Sequence, residues 1–200
     1  MIELSENCGY NIVGLIDNKL YQEGRSEYLG YPILGTDDDA STIHEKYKSV
    51  SLVVTPNKPQ IKKKLVEYYR GYGFHFASLI SPESKVSPRA IIGEGVLVHN
   101  YTVIDPFARV GDFVRLESFG LIGHDCLIGD YSFVAAGAHV LGRVEVGECC
   151  YIGANSVIIP DHKIGDNVIV GLGSAVLTNV KSNTTVIGVP AKKMALPKPE

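Results

Sequence analysis

Aliphatic residues recur at every sixth position along the second half of the chain. The step is unbroken between residues 80 and 176, and it reads Ile80, Val86, Ile92, Val98, Ile104, Val110, Leu116, Ile122, Ile128, Val134, Val140, Val146, Ile152, Ile158, Ile164, Val170 and Val176. Self-similarity at a fixed short period indicates a solenoid. The pattern therefore predicts a repeating β structure without internal insertions over this span.

The residues that flank each aliphatic position complete the repeat. Two positions earlier the side chain is usually small, as at Ala90, Ala108, Cys126, Ala138, Cys150 and Ser156. Glycine often follows the aliphatic residue, as at Gly93, Gly111, Gly123, Gly129, Gly147, Gly153, Gly165 and Gly171. We expect these glycines to form corners at positive φ, where glycine carries no steric penalty. The repeat thus predicts three short strands per coil and a triangular prism whose coils stack about 4.8 Å apart.

A different pattern precedes residue 80, where short apolar runs alternate with helical stretches. Residues 11–18 (NIVGLIDN) and residues 50–54 (VSLVV) are each predicted to form a buried strand. Alternating strands and helices indicate a small parallel sheet, whose ligand crevice lies beyond the carboxyl ends of the strands. We therefore predict a mainly β protein: a small α/β, truncated Rossmann-like domain at 1–79, a parallel β-helix at 80–181 and a tail at 182–200.

The segment KPQIKKKLVEYYRGYGF is predicted to be a helix. Pro59 stands near its start and Gly71 near its end, which are the positions that these residues favour at helix termini. Ile61, Leu65 and Tyr68 or Tyr69 would then share one side.

Charge and composition narrow the class of function. The chain has 19 basic and 22 acidic side chains and a formal charge of -3, so it has no basic surplus for nucleic acid or anionic lipid. No apolar run reaches the roughly 20 residues that span a bilayer, and the N-terminus lacks the features of a signal peptide. We expect a cytoplasmic protein whose four cysteines are reduced and structural.

The hexad register and the tail sequence VIGVPAKKM resemble the hexapeptide-repeat acyltransferases. The repeat covers roughly half of the chain, and the tail is similar to the Gly-x-Pro-Ala-Lys ending of that family. The resemblance implies a left-handed β-helix and a homotrimer. It also implies that acyl-CoA lies between neighbouring prisms and that the tail helps to close the cleft.

The segment GHDCLIGDYSFVAAGAHVLGRVEVGECCYIGANSVI resembles one branch of this family more closely. That branch contains the sialic-acid O-acetyltransferases and the N-acetyltransferases of nucleotide-linked 4-amino-4,6-dideoxy sugars. The resemblance implies that His124 is the general base, that Asp125 polarises it, and that the amide of Gly142 stabilises the oxyanion. It also implies that Ala154 and Leu172 contact the pantetheine arm of acetyl-CoA.

Two departures from that branch concern ligand contacts. Many relatives place a second histidine, which contacts the cofactor, at the position of Phe133. Relatives also begin with a strand and a Gly-rich phosphate loop, which this sequence lacks. Either the acceptor is not held by its diphosphate or the true start lies upstream of Met1, and we expect the latter because a sheet without its first strand would expose two edges. The resemblance still carries the nucleotide-sugar contacts onto Asp17 and Asn18, whereas prolines in the segment TPNKP restrict the backbone near the sugar.

The leading prediction is an acetyl-CoA-dependent sugar acetyltransferase that acts by direct transfer on the amine of a nucleotide-linked 4-amino-4,6-dideoxy sugar. Sugar O-acetylation and a non-catalytic β-helical binding subunit are the alternatives. A zinc hydratase is a third hypothesis. Its histidines would need to converge, but no two of His99, His124, His139 and His162 are separated by the 18 residues of one coil. We therefore expect no metal, and Cys126 is not expected to be a nucleophile because it points inward.

Overall fold

The structure is a computed structural model that describes residues 1–194. Residues 195–200, which belong to the predicted tail, lie outside the described residues. The N-terminal part contains helices and short strands: α1 (Ile2–Asn7), β1 (Leu15–Ile16), α2 (Asn18–Gln22), β2 (Glu27–Tyr28), β3 (Tyr31–Gly35), the 3-10 turn η1 (Asp37–Asp39), α3 (Ala40–Lys46) and α4 (Pro59–Gly71).

The remainder is a series of short strands with one strand per hexad. They are β4 (Leu79–Ile80), β5 (Lys85–Val86), β6 (Ile91–Ile92), β7 (Leu97–Val98), β8 (Val103–Ile104), β9 (Arg109–Val110), β10 (Arg115–Leu116), β11 (Leu121–Ile122), β12 (Leu127–Ile128), β13 (Phe133–Val134), β14 (His139–Val140), β15 (Glu145–Val146), β16 (Tyr151–Ile152), β17 (Val157–Ile158), β18 (Lys163–Ile164), β19 (Ile169–Val170), β20 (Ala175–Val176), β21 (Thr185–Ile187) and β22 (Lys192–Lys193).

These strands form three sheets, which are the three faces of a prism. The first face has the order β22-β21-β19-β16-β13-β10-β7-β4, the second β20-β17-β14-β11-β8-β5, and the third β18-β15-β12-β9-β6. Apart from the antiparallel β22, neighbouring strands are parallel and pair residues 18 apart along the regular coils, as Leu116 pairs with Val134. The predicted left-handed parallel β-helix is therefore confirmed.

The interior of the prism is made of the aliphatic positions of the repeat. Ile122, Ile152 and Ile158 are completely buried, and the same cluster contains the small side chains of Cys126 and Cys150. All four cysteines are free. Burial raises the pKa of the Cys126 thiol and raises that of Cys150 to about 11. The inward cysteines thus remain thiols at neutral pH and pack as small apolar groups.

The glycines that follow the aliphatic residues do not have the predicted positive φ. Positive φ recurs every six residues, but two positions later, for example at Asp125 (59°), Tyr131 (60°) and Asn155 (55°). Close approach of the coils explains the glycines instead. A Cβ on Gly153 would lie 2.6 Å from the amide nitrogen of Leu172 in the next coil. The corner residue tolerates the left-handed region, and the glycine makes room for the coil above.

One edge of the prism carries a column of carboxylates, which we call the acidic corner. It joins the third face to the first, and its column consists of Glu94, Asp112, Asp130, Glu148 and Asp166. The Oδ1 atom of Asp112 accepts the amide of Glu94 at 2.8 Å, and that of Asp130 accepts the amide of Asp112 at 2.9 Å. Asp112 and Asp130 therefore each cap a turn amide of the preceding coil, which would otherwise lack a protein partner.

The N-terminal sheet is small, as predicted, but it is mixed rather than parallel. It has the order β1-β3-β2, with β1 parallel and β2 antiparallel to β3. Within residues 11–18 only Leu15–Ile16 is a strand. The predicted strand at 50–54 is wrong: Leu52 forms a single parallel bridge with Phe76. The apolar run reflects side chains that are buried or half-buried here. Burial alone does not make a strand, because a strand also needs neighbouring strands to pair with.

Helix α4 packs against the acidic corner, and of the residues predicted to share one side Tyr69 is buried and Leu65 is half-buried. Its buried residues are Pro59, Lys62, Val66 and Tyr69, whereas Ile61 is half exposed. The Lys62 ammonium is 1% exposed and donates a hydrogen bond of 3.0 Å to the carbonyl oxygen of Phe113 at that corner. Burial lowers the pKa of Lys62 to about 8. The surface of the prism therefore decides which side of α4 is buried.

The tail closes the upper end of the first face. Strand β21 pairs with β19, and Ala191 donates its amide to the carbonyl of Ala175 at 2.7 Å. Among residues 1–194, no helix is long and apolar enough to cross a membrane.

Candidate active site

His124 stands on the edge that joins the second face to the third, between β11 and β12, which we call the histidine corner. Its column consists of Pro106, His124, Gly142 and Pro160, each one coil apart. The Nδ1 atom of His124 lies 2.8 Å from Oδ2 of Asp125, and both side chains are about half exposed. Because the carboxylate orients the ring through Nδ1, Nε2 is available to accept a proton from a ligand.

Gly142 lies directly above His124 in the next coil. A Cβ at this position would lie 2.5 Å from Nε2 of His124 and 2.8 Å from Cε1. Any larger residue would displace the imidazole, so the glycine fixes the ring against the backbone. Nε2 and the backbone of Gly142 therefore face the same small space.

The amide of Gly142 has no hydrogen-bond partner among residues 1–194. At the acidic corner the corresponding amides of Glu94, Asp112 and Glu148 are each accepted by the carboxylate of the next coil, as Asp166 accepts Glu148 at 2.9 Å. At the histidine corner the residue of the next coil is Pro160, which has no carboxylate. The site thus combines a proton acceptor with a free N–H donor, which is what acyl transfer to an oxygen or nitrogen nucleophile requires.

An ion pair beside this site was not found from the sequence. The guanidinium of Arg143 donates to both carboxylate oxygens of Asp161, from Nε at 2.6 Å and from NH2 at 2.8 Å. Arg143 and Asp161 follow Asp125 along the corner at steps of 18 residues. Continuing that step from Asp125 would have revealed the pair.

Of the predicted cofactor contacts, Gly142 lies at the histidine corner and the other three lie on other parts of the prism. Ala154 and Leu172 are one coil apart on the edge between the first and second faces, and Leu172 is 76% exposed. Phe133 points outward from the first face, where it is 5% exposed and stacks on Tyr151 with ring centroids 5.0 Å apart. Within one chain, none of these three residues shares the corner of His124.

The predicted sugar-nucleotide contacts lie in the N-terminal part. Asp17 caps α2, because its Oδ1 accepts the amide of Leu20 at 2.9 Å. Asn18 exchanges two hydrogen bonds of 2.8 Å with Asp37. Asp17 and Asp37 line a cavity of about 1280 Å³ between residues 11–17 and residues 50–55. The cavity offers carboxylates and an apolar wall, a combination suited to a nucleoside.

The segment TPNKP is held against the first face by Arg115. Its guanidinium donates to the carbonyl of Thr55 at 3.1 Å and to Oδ1 of Asn57 at 2.6 Å, and it also pairs with Glu117 at 2.6 Å. This arrangement places the rim of the N-terminal cavity on the first face, on the far side of the prism from His124.

No group of three or more His, Cys, Asp or Glu side chains within residues 1–194 is arranged to hold a metal ion. His99 instead lies near Glu117, with Nδ1 3.8 Å from the carboxylate. Burial lowers the pKa of His99.

Comparisons with known proteins match this architecture. The family model described as bacterial transferase hexapeptide (six repeats) matches residues 122–160. PerB from Caulobacter crescentus, solved with CoA and GDP-perosamine, is 29% identical over 97% of this chain and 90% of its own, with a TM-score of 0.90. The acetyltransferase domain of PglB from Neisseria gonorrhoeae FA1090, solved with acetyl coenzyme A, is 27% identical over 96% and 91%, with a TM-score of 0.88.

A perosamine N-acetyltransferase from Caulobacter crescentus, in which one histidine is replaced by asparagine, was also solved with CoA and GDP-perosamine. It is 29% identical over 97% of this chain and 90% of its own, with a TM-score of 0.90. No curated protein sequence matches the chain. The matches confirm the resemblance to the hexapeptide-repeat sugar acetyltransferases. The prediction of an acyltransferase is confirmed with it.

Proposed function

We propose that the protein transfers the acetyl group of acetyl-CoA to the amine of a nucleotide-linked 4-amino-4,6-dideoxy sugar. The observation that carries this proposal is the position of His124 Nε2 beside Gly142, whose amide has no partner among residues 1–194, on a fold shared with an enzyme solved with CoA and GDP-perosamine. The cavity beside Asp17 supports a nucleotide-linked acceptor rather than a free sugar.

The proposed reaction is a direct transfer. Nε2 of His124 takes the proton of the acceptor amine as its nitrogen attacks the thioester carbonyl carbon, and the carbon–sulfur bond then breaks to release the CoA thiolate. Asp125 holds the imidazole by its Nδ1 atom. The amide of Gly142 donates to the carbonyl oxygen as negative charge develops there. The same groups would serve an acceptor hydroxyl, so sugar O-acetylation is the second candidate.

The first test is release of CoA thiol from acetyl-CoA with a panel of 4-amino-4,6-dideoxy sugar nucleotides, GDP-perosamine among them, and with sialic acid. We expect turnover with one amino sugar and a product that is heavier by one acetyl group. His124→Asn should lower kcat by about 10²- to 10⁴-fold without unfolding the protein, because it removes the general base. The exposed His75 provides the matched control His75→Asn, which should retain activity.

An unchanged rate in His124→Asn would refute the assigned mechanism. A purified protein whose melting temperature does not rise with acetyl-CoA would support the non-catalytic alternative, because a ligand at 100 times its Kd should stabilise by about 2.7 kcal/mol. Thermal unfolding with and without acetyl-CoA distinguishes the two.

We also propose a homotrimer in which the second faces meet. The outward residues of that face are mainly apolar, and the exposed rings of Tyr101, Phe107 and Phe119 lie on the corners at its two sides. Packing of this kind would bring the histidine corner of one subunit to the neighbouring corner that bears Ala154 and Leu172. It would also bring His124 near the neighbour's N-terminal cavity. The four free cysteines fit a cytoplasmic protein.

Subunit mixing tests this assembly. His124→Ala chains and Leu172→Glu chains should each be inactive as pure proteins. When they are co-refolded at equal amounts, about a quarter of the shared sites would combine two intact halves, so about a quarter of the wild-type activity should return. A mixture as inactive as its components would contradict a shared site, and light scattering would report the mass of the particle.

A further inference from the structure

The histidine corner carries alternating charges beside the site. Asp125, Arg143 and Asp161 occupy the same corner position in three successive coils, with φ of 59°, 60° and 66°. The shared conformation gives the three side chains a common direction away from the prism, and the coils are about 4.8 Å apart. An arginine therefore stands between two carboxylates next to the imidazole of His124.

Arg143 is tied to the site by its backbone and fixed by its side chain. Its amide donates to the carbonyl of His124 at 2.9 Å, and the amide of Asp161 donates to the carbonyl of Gly142 at 3.2 Å. The two-point bond between the guanidinium and Asp161 limits how far the positive charge can move. Asp161 raises the pKa of Arg143, and Asp125 contributes. Arg143 lowers the pKa of Asp161, with His162 and His124 contributing.

We infer that Arg143 and Asp161 are positioning residues that set the basicity of His124, because they place one positive and one negative charge in a fixed order beside its imidazole. The cation of Arg143 opposes protonation of the ring, and it also offsets part of the negative charge of Asp125. The anion of Asp161 favours protonation and holds Arg143 away from Asp125. The charges therefore act in opposite directions on the same proton.

The groups around the imidazole are few. Its own turn contributes Asp125, the next coil contributes Arg143, and the following coil contributes Asp161 and the half-buried His162. The preceding coil presents the uncharged Pro106 and Phe107 at this corner, with the half-buried Asp105 directly before them, and this carboxylate is the same in every variant tested below. The importance of Arg143 and Asp161 for turnover rests on the proposed function. Their effect on the His124 imidazole in the protein without substrate does not.

The test is an NMR titration of His124 in the full-length protein labelled at histidine, with its signal assigned from His124→Asn. Arg143→Gln should move the titration midpoint up, and Asp161→Asn should move it down. Each shift should be roughly 0.2 to 0.7 pH unit, the size expected for exposed ion pairs. The double variant Arg143→Gln, Asp161→Asn should return towards the wild-type midpoint.

Arg25→Gln removes an exposed arginine that pairs with Glu23 at 3.5 Å in the N-terminal part, and it should leave the His124 midpoint unchanged. Shifts of the same sign in the two corner variants, or no shift in either, would overturn the inference. Thermal unfolding of each variant shows whether the corner remains folded. If a variant unfolds at the titration temperature, Arg143→Met and Asp161→Ser remove the same charges, and each should move the midpoint with the sign given above.

The pH dependence of kcat/KM gives the second readout, and its acidic limb should move with the same signs. If the NMR midpoints move as expected but no sugar is acetylated, the proposed function fails and the inference about the imidazole stands. If acetyl transfer is found but the midpoints do not move, the inference fails and the proposed function stands.

Discussion

The acidic corner and the histidine corner are the same structural element built from different residues. At the acidic corner, Asp112, Asp130 and Asp166 each accept a turn amide of the preceding coil, and helix α4 covers the outside. At the histidine corner, Gly142 and Pro160 stand where carboxylates would, and the amide of Gly142 is left free. The comparison shows that the same turn can be closed by a capping carboxylate, which occupies the amide, or left open, which makes the amide of Gly142 available to a ligand.

Among changes that exchange features between the two corners, the largest effect is expected from converting the histidine corner into an acidic one. At the acidic corner a glycine precedes each capped amide, and an aspartate of the next coil accepts it. Leu141→Gly with Pro160→Asp would reproduce this arrangement around the amide of Gly142. The glycine is needed because a Cβ at that position would collide with the carboxylate, as at Gly93. The new carboxylate should take the amide of Gly142 and repel the oxyanion. We expect kcat to fall about 10²- to 10³-fold, measured by thiol release.

Leu141→Gly alone is the control for that double variant, because it leaves the amide of Gly142 free. It should retain most of its activity after correction for stability. If the double variant were as active as this control, the Gly142 amide would not be an oxyanion donor.

The second prediction concerns the burial of Lys62 between α4 and the acidic corner. Its pKa of about 8 lies below the usual value of 10.5, so between these values the unfolded state binds more protons and stability should rise with pH. Relative to Lys62→Met, which has no proton to lose, the free energy of unfolding of the wild type should increase by about 2 kcal/mol from pH 7.5 to pH 10. Urea unfolding at the two pH values measures this difference, and a constant difference would show that Lys62 is not desolvated.

The smallest expected effect is at a single cap of the acidic corner. Asp130→Ala removes the acceptor of the Asp112 amide and should lower the free energy of unfolding by about 1 kcal/mol, whereas Asp130→Asn keeps an acceptor oxygen and should cost less. Thermal unfolding of the two variants separates the hydrogen bond from the charge. Equal losses would mean that the charge, rather than the cap, stabilises the corner.

The β-helix could be predicted from the sequence because every coil repeats the same environment. An inward position such as Ile122 or Ile152 is aliphatic in each coil, so its neighbours are known once the step is known. His124 and Asp125 could be selected because that register placed both outside the interior. The position of positive φ was missed, since a glycine is also needed where coils come close together, as Gly153 shows.

The N-terminal part was predictable only in outline. Helix α4 was located by its terminal residues, but the side with Lys62 and Val66 is buried in place of Ile61, because the surface that covers them forms only when the prism is folded. Residues 50–54 have the composition of a strand and only one bridge. Arg143 and Asp161 were not selected from the sequence, although their proximity could have been predicted because the two residues are one coil of 18 residues apart.

The constant rise of the coils also fixes distances along the axis of the prism. The N-terminal cavity is anchored to particular coils by Arg115 and Lys62, and His124 belongs to a defined coil of the same stack. The height of the acid–base group above the anchored cavity can therefore change only by whole coils, in steps of about 4.8 Å. A chain with one coil inserted between these points would suit an acceptor that is longer by about that distance, with every side chain of the site retained.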